Sequence, residues 1–164
     1  MRIVPALCLL SLALLGGCGR EAAPPSGSGS AGAAPQEAIV RSGDVSVRAS
    51  ALQTSALSPA VAQQYGIARD DASVLLLVAV RRGPDGQDSA IPARVSAVAT
   101  DLRGQRRVLE LRELRTGEPG GAQLLDYIGT LDIALPETLR FELSVAPEGG
   151  TPTTLQFSRE FYPR

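Results

Sequence analysis

The chain has 164 residues and a formal net charge of -1, with 16 basic and 17 acidic side chains, so it lacks the positive field that holding nucleic acid requires. It contains no His and no Trp, and every basic residue is Arg. The side chain that most often titrates near neutrality, acts as a general base or ligates a transition metal is therefore absent.

The first residues place Arg2 ahead of an apolar run from Ile3 to Leu15, the charge-then-hydrophobe order of an export signal. That run falls short of the about 20 residues that a membrane-spanning helix needs. It closes on Leu15, Gly16, Gly17 and Cys18, which resembles the lipobox of bacterial lipoproteins. The resemblance implies a signal peptide over residues 1–17 and a mature protein that begins with an acylated, palmitate-bearing Cys18. Gly19, where the inner-membrane retention signal usually has Asp, implies delivery to the outer membrane, with the rest of the chain in the periplasm.

Residues 18–38 hold that Cys and a tether of Gly, Ser, Ala and Pro. Such side chains bury too little apolar surface to offset the entropy of ordering the backbone. As a flexible coil the tether spans about 20–25 Å. Cys8 leaves with the signal, so the folded part has no Cys and no disulfide, and packing and strand pairing must stabilise it.

From Asp44 to Leu52 apolar and polar residues alternate, which predicts a half-buried strand. Ser58, Pro59 and Gly66 then bracket a short helix near residues 59–65, with Ser58 as cap, Pro59 in the first turn and Gly66 as terminator. The nearly all-apolar Ser73 to Val80 predicts a central strand covered on both faces. The Gly/Pro-rich segment from Arg81 to Asp88 predicts a turn that closes a hairpin.

Ile91 to Leu102 alternates again, with Pro92 favouring a strand end or an edge. Arg106 to Leu114 fits one strand better than the helix that its Leu, Glu and Arg content also permits. Gln123 to Ile133 has mixed apolarity, expected from two partly covered faces or from a bulge. Phe141, Leu143 and Val145 form one inward row after Pro136, and Leu155, Phe157 and Phe161 form another. The expected fold for residues 39–164 is all-β, an immunoglobulin-like sandwich of about seven strands with one short helix.

Gly43-Asp44-Val45, the segment from Leu57 to Arg69 that reads L-x-P-x-V-A-x-x-Y-G-I-x-R, the turn Asp101-Leu102-Arg103-Gly104 and the end from Leu155 to Tyr162 together resemble the bacterial DUF4426 family of exported domains. The resemblance covers nearly all of residues 39–163. Val45 stands where that family usually has an aromatic residue, so no aromatic ligand platform is carried over at that position. The resemblance implies a domain identity and supplies no catalytic residue.

Tyr65 and Arg69 lie four positions apart at the end of the short helix and form a candidate recognition surface, from Tyr contact area and the Arg hydrogen-bonding fork. Their structural roles would be Tyr65 as a plug between helix and sheet, and Arg69 as an ion-pair partner of Asp44, Asp70 or Asp71. Asp70, Asp71, Asp85 and Asp88 do not have calcium-loop spacing, so no metal or other cofactor is expected. No nucleophile elbow appears, and no enzyme activity is expected. The expected function is a non-catalytic, lipid-anchored envelope protein that binds or supports another protein, for example through an exposed strand edge. The alternative is a lipoprotein that binds a small ligand or glycan near Tyr65, Tyr127 or the aromatic C-terminal end.

Overall fold

The computed structural model describes residues 37–117 and 124–164. The signal segment, Cys18 and nearly all of the tether lie outside these residues. The described chain opens with the hairpin of β1 (Ala38–Ser42) and β2 (Val45–Gln53), turned at Gly43 with φ of 61°. A single 3₁₀ turn (Thr54–Ala56) leads to α1 (Pro59–Tyr65). The Ser58 hydroxyl accepts the Val61 N–H at 3.2 Å, and Gly66 ends the helix in the left-handed region with φ of 64°, as the sequence predicts.

There follow β3 (Ser73–Arg82), β4 (Ser89–Ala90), β5 (Ala93–Asp101), β6 (Arg106–Leu109), β7 (Arg112–Thr116), β8 (Leu124–Asp132), β9 (Glu137–Pro147) and β10 (Thr153–Phe161). The first sheet has the order β1-β2-β3-β8-β7, with β4 added to the end of β3, and the second has β10-β9-β5-β6. The pairings are antiparallel.

The fold is all-β, as expected, with ten described strands where about seven were expected. Two of the extra strands are short: β1 lies where the tether meets the domain, and β4 is a two-residue bridge. The third arises because the segment from Arg106 to Leu114 is not one strand. It serves β5 of the second sheet as β6, crosses the sandwich at Glu110 and Leu111, and then serves β8 of the first sheet as β7. A strand that changes sheets carries two short patterns in sequence, and Leu109 and Leu111 mimic one alternation across the break.

The main core lies between the sheets. Val47, Val74, Leu76, Val78 and Val80 from the first sheet meet Ala99, Leu139, Phe141, Leu143 and Val145 from the second. Phe141 and Phe157 stack there with centroids 5.1 Å apart. A second, smaller core on the outer face of the first sheet packs Leu57, Ala62 and Tyr65 over Leu75, Leu114 and Ile128. It explains the all-apolar β3, whose two faces are both covered, and the mixed pattern of β8. Between Asp126 and Asp132 the β3–β8 register is continuous, so coverage of both faces, rather than a bulge, accounts for that pattern.

Candidate functional site

The β8 strand has neighbours of unequal length. On one side β3 pairs with it from Asp126 to Asp132; on the other, β7 pairs only from Leu124 to Ile128 and stops at Arg112. In an antiparallel ladder the main-chain groups of successive residues point to alternate sides. Ile133 donates its N–H to the Ala72 carbonyl at 2.8 Å, so Leu131, Gly129 and Tyr127 share its direction and address β3. Ile128 and Asp126 address β7, and Thr130 and Asp132 point the same way, past the end of β7. The Asp132 carbonyl is taken by the Arg107 guanidinium at 2.6 Å. The Thr130 N–H and C=O have no backbone partner among the described residues.

The reason β7 stops is visible at Gly129. A Cβ at that position would stand 2.6 Å from the Glu110 carbonyl oxygen and 2.8 Å from Leu111 Cδ2. The chain crossing from β6 to β7 lies directly against Gly129, and having left the plane of the first sheet it cannot also pair with Thr130. A glycine inside a strand here marks the close approach of another backbone. Arg112 fixes the crossing from the other side, donating its guanidinium to the Tyr65 carbonyl at the C-terminal end of α1.

A groove of about 590 Å³ lies along this edge of β8. One wall is residues 66–68 with Asp70, from the loop after α1; the other is Glu110, Leu111 and Arg112; Ile128, Gly129, Thr130, Asp132 and Ser73 line it between them. Asp44, Asp85, Asp101, Asp126, Glu137 and Glu142 each lie within 4.0 Å of an Arg nitrogen, for example Asp126 at 2.5 Å from Arg81 and Glu137 at 2.7 Å from Arg107. Asp70, Glu110 and Asp132 make no such pair among the described residues, nor do Glu37, Asp71, Glu148 and Glu160 outside the groove, and the Asp70 carboxylate accepts the Ala72 N–H at 2.7 Å. Arg112 is the one guanidinium in the lining, and it already serves Tyr65.

The groups whose protonation is shifted lie elsewhere and serve the scaffold. A hydrogen bond from Arg41 holds the Asp85 carboxyl below the usual range, with Arg48 adding to the effect. The Gln105 and Arg103 backbone N–H groups do the same for Asp101 in the β5–β6 turn. A hydrogen bond to Glu160 raises the Tyr162 hydroxyl.

The sequence candidates fall in and around the groove in different ways. Tyr65, the last residue of α1, is half-buried against the smaller core, the plug between helix and sheet, and its carbonyl accepts from Arg112 in the groove lining. Arg69 is exposed in the loop after the helix. Because Gly66 ends the helix, helical spacing does not bring Arg69 beside Tyr65, and it donates to the Ser55 carbonyl at 2.8 Å instead of pairing with Asp44, Asp70 or Asp71. Tyr127 is buried, its hydroxyl accepting the Ala93 N–H at 2.7 Å across the sandwich, so it faces no ligand pocket. At the C-terminal end Phe157 and Phe161 belong to the core, and Tyr162 is exposed. Among the described residues no group of three or more His, Cys, Asp or Glu is placed to hold a metal ion.

The family profile of DUF4426, described as a domain of unknown function, matches residues 39–164. The chain belongs to the DUF4426 family. Its segment from Leu57 to Arg69, the most distinctive run in the sequence, builds α1 and one wall of the groove. Among solved structures, a DUF4426 family protein from Pseudomonas aeruginosa is 29% identical with a TM-score of 0.58, covering 78% of this chain and 96% of that one. FetP of a uropathogenic E. coli strain, expressed recombinantly in the periplasm, is similar in fold alone, at 13% identity and a TM-score of 0.53 over 80% of this chain and 98% of that one. No curated protein matches the chain.

Proposed function

We propose that this DUF4426 protein is a non-catalytic, lipid-anchored envelope protein that binds another protein by accepting an extended segment along the open edge of β8. The observation that carries this reading is the outward-facing, unpaired main chain of Thr130, at the point where β7 leaves the sheet. An extended segment laid there continues the line of β7 and supplies the missing main-chain hydrogen bonds, with the loop after α1 and the Glu110–Leu111 crossing as side walls. The export signal with Cys18 at its end supports a lipid anchor, and Gly19 supports the outer membrane as its destination, which leaves the domain in the periplasm.

A photo-crosslinking amino acid placed at Thr130 of the full chain in cells tests this. It should capture a reproducible protein partner, whereas the same probe at Gln156, exposed on β10 at the far edge of the second sheet, should not. Equal capture at both positions, or none at Thr130, defeats the reading. The second reading, a small-ligand or glycan-binding lipoprotein, is favoured by the groove's volume, which falls in the range of small-molecule sites. It gains if a saturable thermal shift with a small molecule accompanies absence of protein capture.

A further inference from the structure

We infer that the segment received along β8 is cationic, an extended stretch of a partner protein bearing Arg or Lys side chains. This rests on the open-edge reading and adds the chemistry of the partner. The lining carries three carboxylates, from Asp70, Glu110 and Asp132, against the single guanidinium of Arg112. That imbalance is local, because the protein as a whole has nearly equal numbers of acidic and basic side chains.

The carboxylates are also placed for an extended ligand. Glu110 and Asp132 lie on either side of Thr130, one on the crossing that forms a wall and one further along β8, and Asp70 stands on the opposite wall. A strand paired to Thr130 sends alternate side chains to opposite sides. Basic residues on the side facing α1 then meet Asp70 and Asp132, and one on the other side meets Glu110. The Ala68 main chain, in this wall, makes no backbone hydrogen bond among the described residues. The charges are exposed, and their contribution is to the choice of partner and its orientation more than to tightness.

The test uses the full chain in neutral detergent and a fluorescent capped peptide of alternating Ala and Arg, with an Ala and Glu peptide and spermidine as comparisons, read by anisotropy. The Arg peptide should bind, weaken with added salt, and weaken about three- to tenfold more in the double variant Glu110→Gln with Asp132→Asn. Glu148→Gln, outside the groove, should bind as the natural chain does. Thermal melts establish that the isosteric variants stay folded. Equal binding of the Glu peptide, unchanged affinity in the double variant, or spermidine binding as tightly as the peptide overturns the inference. If Thr130 captures a partner in cells and the captured peptide, mapped by mass spectrometry, is acidic or uncharged, the inference falls while the open-edge reading stands. If Thr130 captures nothing, that reading fails as well.

Discussion

The Glu110 carbonyl oxygen occupies the space into which a side chain on Gly129 would grow, 2.6 Å from the position of its Cβ. This contact sets where the chain leaves one sheet for the other, and so where β7 ends and the free edge of β8 begins. Gly129→Ala forces a backbone shift, since the obstructing atom is main chain and not the tip of a flexible side chain. The expected cost is about 1–3 kcal/mol, measured by urea unfolding, with a loss of capture at Thr130. Unchanged stability would mean that the crossing is not held against β8.

Phe141 is fully buried and stacks on Phe157 at the centre of the sandwich. Phe141→Ala should cost about 3–5 kcal/mol in equilibrium unfolding, from lost transfer energy and the cavity left behind. Phe141→Asp should prevent folding by burying an unpaired charge. A natural melting temperature for either variant would contradict the assignment of this row to the core.

These inward rows were legible in the sequence because β9 alternates without interruption and β10 does so but for Arg159, and Phe141, Leu143, Val145 and Leu155 are buried as the period of two requires. The short helix was equally legible, since Ser58, Pro59 and Gly66 are each used in the way their chemistry suggests. The groove was not. Its open edge depends on the ladder partners of Thr130, and those depend on where a strand far along the chain changes sheets. Gly129 in a strand interior was the one local signal of a close backbone approach. Tyr65 and Arg69 flank the loop that forms one wall of the groove, while its open edge belongs to β8 and the crossing.

Arg81 and Asp126 form a largely buried pair at 2.5 Å, and the same guanidinium donates to the Leu125 carbonyl at 2.9 Å. Removing one partner leaves the other charge without compensation. Asp126→Ala should therefore destabilise the domain by about 3–5 kcal/mol in denaturant titration. Replacing both residues with apolar ones of similar volume should restore much of that loss.

Asp101 accepts the Gln105 N–H at 2.8 Å and the Arg103 N–H at 2.9 Å, which hold its carboxyl below the ordinary range. A carboxyl whose pKa is lower in the folded state stabilises fully above the unfolded value, about 3.9, and loses that contribution as pH falls through the folded value. Asp85 acts in the same direction through Arg41. The melting temperature should be level above about pH 5 and decline below about pH 4. Asp101→Asn should melt lower at neutral pH and decline less steeply in acid; parallel curves would contradict the role given to this turn.

The main chain of Thr130 faces outward from β8, with no strand beside it among the described residues. Site-resolved amide hydrogen exchange on the full chain tests it most directly. Thr130 should exchange rapidly between slowly exchanging Gly129 and Leu131, whose N–H groups address β3. Thr130 protected to the same degree as those neighbours in the unliganded protein would contradict it.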